Sequence, residues 1–269
     1  MRTVSLDQLT VLGVRPAELV DIAARAGYGA ISPFIGAGKP MLPAVPLRAG
    51  DPDTIAMQRR MADTGVFINN ADGFALFDDT SMEELRVAAH LMAQMGARGL
   101  VTLQFDSDAA RGFDRFCQLN ELAKEVGLPL VLEFTPLSRI ASLNDALAYR
   151  ARAGGDNIGI LVDVFHLHRS GGTPADLLAM DRSLIKGAQL CDGPRKQTDE
   201  EYAEQALYER MIPGEGELPV KEFLKALPQE TIFGVEVPLR SRERAGESRL
   251  ERATRLMAAT RALLAAVEV

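Results

Sequence analysis

The sequence predicts an α/β protein folded as a single (β/α)8 TIM barrel domain that spans residues 1–269. Its length is close to the ~250 residues typical of this fold. Eight short apolar runs alternate with helical segments from one end of the chain to the other. Eight such repeats favour a parallel sheet that closes into a barrel, and an open doubly wound sheet is the alternative.

Eight segments have the composition of strands buried on both faces. They are short apolar runs rich in Val, Ile and Leu, as expected for a parallel sheet. No Gly-x-Gly-x-x-Gly motif follows the first of them, so nothing favours dinucleotide binding. In chain order the predicted strands are Thr3–Leu9, Gly29–Phe34, Val66–Asn70, Gly99–Gln104, Leu128–Phe134, Ile158–Val164, Ile185–Cys191 and Ile232–Pro238.

Amphipathic segments between these runs predict the helices. Pro16–Ala26 and Arg249–Val267 both repeat apolar residues at helical spacing. Ser81–Met95 does the same and opens with Ser81 and Glu84, the spacing of a capping box. These apolar stripes are typical of helices that pack against a sheet.

Composition and charge exclude several classes of protein. The chain is 47% hydrophobic and 25% charged, an ordinary balance for a globular protein. Its formal net charge of −7 argues against nucleic acid as a partner, because binding to phosphate backbones requires clustered Lys and Arg. No apolar run reaches the ~20 residues of a membrane span. The two cysteines, Cys117 and Cys191, lack a zinc or disulfide spacing, which favours a reducing cytoplasm.

Three predicted strands end in an acidic residue. Glu133, Asp163 and Glu236 close the fifth, sixth and eighth strands. A buried unpaired carboxylate costs several kcal/mol, so each acid is expected to face a cation or a ligand at the strand end. In the seventh strand, alternation makes Gln189 the better candidate to point the same way. A lone acid of this kind is more often a helix cap or an ion-pair partner, so the hypothesis depends on the repetition.

The four side chains Glu133, Asp163, Gln189 and Glu236 form a candidate site for one divalent metal ion. Carboxylate and amide oxygens suit Mg²⁺ or Mn²⁺, with Co²⁺ or Zn²⁺ as further candidates. His166 follows Asp163 by three residues and is either a substrate contact or a hydrogen-bonded core histidine.

The segments from the fifth strand onwards resemble the xylose isomerase-like TIM barrel superfamily of sugar phosphate isomerases and epimerases. They occur in the order found in that superfamily, whereas the N-terminal half fits only in overall pattern. Many members have histidine where this chain has Gln189. The matching segments are 132–134, Asp163-Val164-Phe165-His166, Gln189-Leu190-Cys191-Asp192-Gly193-Pro194, 210–216 and Gly234-Val235-Glu236.

The resemblance implies roles for individual residues. Glu133, Asp163, Gln189 and Glu236 would hold the metal, and the two glutamates would also move protons. His166 and Arg210 would bind the substrate, and Arg195, which lies nearer the seventh strand, is the alternative to Arg210. The preferred function is a divalent-metal-dependent isomerase or epimerase that acts on a small ketose-like or keto-polyol molecule through an enediolate.

Three other functions remain to be weighed. A dehydratase resembling the 3-dehydroshikimate and keto-inositol enzymes would begin with the same proton removal. Abasic-site endonucleases share the fold, but their histidine-rich three-metal cluster cannot be built from three histidines. A non-catalytic binding protein with a vestigial site is disfavoured by the three acids. The sequence leaves the substrate, the metal and the oligomeric state open, with a homo-oligomer as one alternative.

Two predicted connections are unusually long, and long loops in compact domains are often functional. Ile35–Gly50, with four prolines or glycines before residue 44, is expected to cover the site. Asp192–Pro219 has helical character over Thr198–Tyr208 and is expected to close over the substrate with Arg210 as its anchoring cation. Replacement of Arg210 would then raise the Michaelis constant with little change in melting temperature.

Overall fold

The computed structural model describes residues 2–36, 42 and 44–267 and has the predicted eight parallel strands. Each observed strand lies within its predicted segment, and the outer residues of most segments belong to the loops. The strands are β1 Val4–Asp7, β2 Ala30–Ser32, β3 Phe67–Ile68, β4 Leu100–Thr102, β5 Leu130–Glu133, β6 Ile158–Asp163, β7 Ile185–Leu190 and β8 Phe233–Val235.

The strands form one sheet in the order β3-β2-β1-β8-β7-β6-β5-β4. Backbone hydrogen bonds just beyond β3 connect the two end strands. The Ala71 amide donates to the Gly99 carbonyl at 2.9 Å, and the Val101 amide donates to the Ala71 carbonyl at 2.9 Å. The sheet therefore closes into a barrel, which confirms the predicted fold over the open-sheet alternative.

The predicted helices are confirmed, two of them with the same bounds. Ser81 caps α3, where its hydroxyl accepts from the Glu84 amide, and Thr198 caps α8 in a capping box with Glu201. No described helix has the length and apolar character needed to traverse a lipid bilayer. The helices are α1 Pro16–Ala26, α2 Pro52–Thr64, α3 Met82–Gln94, α4 Ala109–Glu125, α5 Leu143–Arg152, α6 Val164–Arg169, α7 Pro174–Ala179, α8 Asp199–Tyr208, α9 Val220–Ala226, α10 Arg240–Arg244 and α11 Arg249–Val267.

The hydrophobic core has two parts. The larger part packs between the sheet and the helices. A small separate cluster of Val101, Val131 and Leu161 belongs to the opposite face of β4, β5 and β6. Because successive side chains of a strand point to opposite faces, Glu133 shares the inner face with Val131, and Asp163 shares it with Leu161. The inner cluster therefore lies beneath the acids at the strand ends.

Candidate active site at the carboxyl ends of the strands

The four predicted metal ligands lie at one end of the barrel and are all buried. Glu133 and Asp163 are the last residues of β5 and β6, and Glu236 directly follows β8. In the register of the sheet Asp163 pairs with Gln189, and Gln189 pairs with Gly234. Strand alternation turns all four polar side chains to the barrel interior.

Arg210 lies among these carboxylates and is 2% exposed. Its Nη1 lies 2.6 Å from Asp163 Oδ2, and its Nη2 lies 2.9 Å from Glu236 Oε2. Its Nε donates to the Ala206 carbonyl at 3.1 Å. Burial alone would lower the pKa of Arg210, but Asp163 and Glu236 raise it above the usual value. Arg210 is therefore a buried cation that bridges two predicted ligands, and not an exposed arginine on a loop.

His166 lies on the first turn of α6 at the same end of the barrel. Its Nε2 lies 3.6 Å from Glu133 Oε1 and 4.0 Å from Asp163 Oδ2. Its Nδ1 lies 2.9 Å from the Tyr202 hydroxyl, which in turn lies 2.7 Å from Thr135 Oγ1. Burial lowers the pKa of His166 to about 4, against the opposing effect of Asp163. The imidazole is therefore neutral at pH 7.

The three strand-end acids differ in their proton affinity. Burial raises the pKa of Glu133, and repulsion from Glu236 raises it further. Burial also raises the pKa of Glu236, although Arg210 opposes the shift. For Asp163 burial is again the largest single effect and raises the pKa, but Arg210, His166 and the hydrogen bond from the Phe165 amide together bring the pKa below its usual value. The site thus combines one firmly ionised carboxylate with two that take up protons more readily.

Asp7, at the end of β1, is a buried acid that the sequence reasoning missed. Its carboxylate accepts from Ser5 Oγ at 3.2 Å and from Gln189 Nε2 at 3.2 Å. Burial raises its pKa to about 7. A Cβ atom on Gly234 would come within 2.0 Å of Asp7 Oδ2, so only glycine fits opposite this acid. The signal was present in the sequence, because Val4–Asp7 is another short strand that ends in an acid.

Asp72 is a second acid that was missed. It follows β3 and lines the same cavity as Glu133. Burial raises its pKa to about 6, and its charge adds to the upward shift of the pKa of Glu133. Its position just beyond the end of Val66–Asn70, the predicted third strand, was the available sequence signal.

One cavity of about 140 Å³ opens at this end of the barrel. Glu133, His166, Arg210 and Glu236 line it, so four of the predicted site residues share one space. Gly36 and Leu42 come from the first long connection, whose residues 37–41 and 43 lie outside the described part of the chain. Ala206 and Leu207 come from the second. Both long connections therefore contribute residues to the lining of the cavity.

Arg195 is placed elsewhere. Its side chain is exposed, and it lies by a different surface pocket with His168 and Arg169. Only its backbone makes described hydrogen bonds, in which its amide donates to Glu217 and its carbonyl accepts from Arg169. The structure therefore brings Arg210, and not Arg195, to the cavity.

The residues at the site fit a divalent cation. Glu133, Asp163 and His166 each present one ligand atom, and these atoms lie within 4.8 Å of one another. Among the residues that the structure describes, the three carboxylates of Glu133, Asp163 and Glu236 have one buried arginine or lysine beside them, Arg210, which contacts Asp163 and Glu236. These buried carboxylates carry more negative charge than Arg210 compensates, and a bound divalent cation would be stabilised by that excess.

Gln189 gives an independent indication. Its Nε2 donates to Glu236 Oε1 at 2.9 Å and to Asp7. Its Oε1 is buried and has no hydrogen-bond partner in the described structure. Buried polar atoms are rarely left unpaired, so this oxygen is available to a ligand. His166, which was predicted as a substrate contact, is as close to Glu133 and Asp163 as a metal ligand would be.

The chain resembles several known proteins. An inosose isomerase from Halalkalibacterium halodurans is 29% identical over 123 residues, and the match covers 44% of this chain and 41% of the relative. A xylose isomerase domain protein from Alicyclobacillus acidocaldarius superposes with a TM-score of 0.76 at 20% identity over the whole of both chains. The crystal structure of IOLI protein with a bound zinc atom superposes with a TM-score of 0.75 at 16% sequence identity. The match covers 98% of this chain and 99% of that one.

The family comparison covers most of the chain. The model of the xylose isomerase-like TIM barrel family matches residues 20–261, from α1 to near the end of α11. The match includes every predicted site residue. This chain therefore belongs to the xylose isomerase-like TIM barrel family.

Proposed function

We propose that this protein is a divalent-metal-dependent isomerase or epimerase of a small molecule that has a carbonyl next to a hydroxyl-bearing carbon. The observation that supports this most is the pair Glu133 and Glu236. Both are buried, both have raised pKa values, and both line one cavity. A raised pKa favours the protonated carboxyl group, which is the form that a general acid needs.

Glu133, Asp163, Gln189 and Glu236 are the proposed metal ligands, with His166 near enough to be a further one. A divalent ion held there would polarise the substrate carbonyl and make the neighbouring C–H more acidic. An all-oxygen set favours Mg²⁺ or Mn²⁺, whereas participation of His166 would favour Zn²⁺ or Co²⁺.

The two glutamates are proposed to take and return the proton. Glu236 is held by Arg210 and by Gln189 Nε2, both at 2.9 Å. Glu133 has only His166 Nε2 nearby among the described residues, at 3.6 Å. Glu133 therefore has fewer donors competing for its proton-accepting oxygens, and we assign to it the first proton removal from carbon. Glu236 then supplies the proton that completes the isomerisation through an enediolate.

His166 and Arg210 are proposed to bind the oxygens of the substrate. The neutral imidazole of His166 can donate or accept without adding charge. Arg210 lines the cavity while its Nη1 and Nη2 contact Asp163 and Glu236, so a substrate oxygen would share the guanidinium with these two carboxylates. The partial match to an inosose isomerase and the zinc atom in the IOLI structure support an isomerase and a metal, respectively.

The first test combines metal content with proton exchange. Metal-reconstituted protein should hold about one equivalent of Mn²⁺ or Mg²⁺ by elemental analysis. Asp163→Asn should lose it, and this variant keeps an acceptor for the Phe165 amide that Asp163 now caps at 2.6 Å. Metal binding as tight as in the parent protein would overturn the assignment.

The second test concerns the bases. In D₂O, the parent protein should exchange the C–H next to the carbonyl of ketoses or cyclic keto polyols. Glu133→Gln and Glu236→Gln should each slow this exchange by about 10²–10⁴-fold, because each removes a base and keeps the shape. Glu125→Gln, on the exposed face of α4, is the control. A product that is lighter than the substrate by one water, measured by mass spectrometry, would identify a dehydratase instead of an isomerase.

A further inference from the structure

The cavity is chemically divided between the two halves of the barrel. Its charged floor comes mainly from β5–β8 and the connections that follow them, through Glu133, His166, Arg210 and Glu236. The connections after β1–β4 contribute mostly apolar side chains. These are Leu9, Phe34, Phe77, Leu85, Leu103 and Phe105.

Among the described residues, the hydroxyl groups that line this cavity each have a hydrogen-bond partner in the protein. Thr80 Oγ1 accepts from the Phe77 amide at 2.6 Å, and Ser81 Oγ caps α3. Thr135 Oγ1 is paired with the Tyr202 hydroxyl. A polyhydroxylated substrate would therefore place several hydroxyl groups against a wall that offers few partners, and each unpaired hydroxyl weakens binding.

Two acids also belong to the lining on this side. Asp72 lies close enough to Glu133 to raise its pKa, so it extends the charged floor. Asp79 is exposed to solvent. Neither aspartate places a hydrogen-bond donor among the apolar side chains contributed by the connections after β1–β4.

Two phenyl rings form the most distinctive part of the wall. Phe77 and Phe105 are stacked with centroids 5.1 Å apart and planes 7° from parallel. Both are only partly buried, although both line a cavity inside the barrel mouth. Aromatic rings in such a position favour a further flat apolar group, which would cover the face or edge that they leave open.

We propose that the substrate has two parts, a keto–hydroxy end and an aromatic ring attached to it. The ring would pack against Phe77 and Phe105, and the keto–hydroxy end would reach Glu133 and Glu236. This inference rests on the proposed function for the chemistry of the charged end. It narrows the substrate class from sugars in general to aryl-substituted keto–hydroxy compounds.

Binding of three probes to the Mn²⁺-loaded protein tests this proposal. The probes are hydroxyacetone, 2-hydroxyacetophenone and D-fructose, and the dissociation constants are measured by calorimetry. We expect 2-hydroxyacetophenone to bind at least tenfold more tightly than hydroxyacetone, because its ring buries apolar surface. We expect D-fructose to bind no more tightly than hydroxyacetone. Equal affinities for the first two probes, or tighter binding of D-fructose than of 2-hydroxyacetophenone, would overturn the proposal.

Variants locate the ring. Phe77→Ala and Phe105→Ala should each reduce the preference for 2-hydroxyacetophenone at least threefold and leave hydroxyacetone binding unchanged. Phe113→Ala is the matched control, because Phe113 packs on Tyr149 and does not line the cavity. An unchanged preference in both cavity variants would refute the placement of the ring. Deuterium exchange of the same probes is scored separately, so failure of the proposed proton transfer is distinguishable from failure of the substrate class.

Discussion

At the scale of single residues, the charge balance of the site depends on Arg210. Its guanidinium contacts two strand-end acids, Asp163 and Glu236, and all three side chains are buried. Removing one partner of a buried ion pair is costly because the other charge remains without compensation. The structure therefore gives this residue a structural role beside the proposed substrate contact, so its loss is expected to affect stability as well as the Michaelis constant.

We expect Arg210→Ala to destabilise the protein by about 3–5 kcal/mol, because it leaves Asp163 and Glu236 buried without their cation. Arg210→Lys should lose less, since it keeps the charge but not both contacts. Thermal or urea unfolding of the metal-free protein measures this. Arg195→Ala, at an exposed arginine, is the control and should unfold like the parent. An equally stable Arg210→Ala protein would show that the bridge does not hold the site together.

Tyr202 is the residue whose role only the tertiary structure reveals. It lies on α8 and fixes His166 through Nδ1. We expect Tyr202→Phe to lower the free energy of unfolding by about 1–3 kcal/mol, because its hydroxyl makes two buried hydrogen bonds, to His166 and to Thr135. The rate at which this variant exchanges the substrate C–H in D₂O should fall several-fold, because the His166 imidazole loses its fixed orientation. Tyr208→Phe, at the end of the same helix, is the control. A change confined to stability would give Tyr202 a packing role only.

At the scale of the elements, the close approach of β8 to β1 explains a glycine. Gly234 pairs with Ser5 across the sheet, and the side chain of Asp7 occupies the space that a Cβ would fill. We expect Gly234→Ala to cost about 1–3 kcal/mol of stability through overpacking. Combining Gly234→Ala with Asp7→Gly should restore part of the lost stability. A double-mutant cycle of unfolding free energies measures this recovery. Full additivity of the two changes would contradict a direct clash.

The strands and the main helices could be predicted because each depends on a local pattern. Apolar runs marked the strands, and period-two alternation was sufficient to turn Gln189 inwards. Arg210 and Tyr202 followed no such rule, because their positions depend on how the second long connection packs over the barrel. That connection is fixed by Asp192, whose carboxylate accepts from the amides of Gly193, Gly214 and Leu218. The contacts with Gly214 and Leu218 join residues that are 22 and 26 positions away from Asp192, and they leave no periodic signal in the sequence.

At the scale of the whole molecule, the barrel concentrates acids at one end. Asp7, Asp72, Glu133 and Glu236 all have raised pKa values, and burial is the first cause for each. Their proximity comes from the parallel sheet itself, which brings the carboxyl ends of its strands together at one rim. A bound divalent ion would compensate this charge, so stability and metal binding are coupled in this fold.

The same acids make the stability of the metal-free protein depend on pH. The folded state keeps the proton of Asp7 up to its pKa of about 7, whereas the unfolded chain loses it near the ordinary aspartate pKa of 3.8. The folded state therefore binds more protons between these values, and its stability falls as the pH rises from about 4 to 7. For Asp7 alone the loss is on the order of 4 kcal/mol at most, at 1.36 kcal/mol per pKa unit.

We expect Asp7→Asn to flatten this decline and to be at least as stable as the parent at pH 8, because a neutral amide is not penalised by burial. Asp106→Asn is the opposite control. Asp106 is paired with Arg111 and Arg115, and hydrogen bonding from Arg111 lowers its pKa. Its contribution is therefore present above about pH 4, so its loss should destabilise the protein at pH 8. Melting temperatures of metal-free protein between pH 5 and 8 measure both, and a parent protein that gains stability over that range would contradict the buried-acid account.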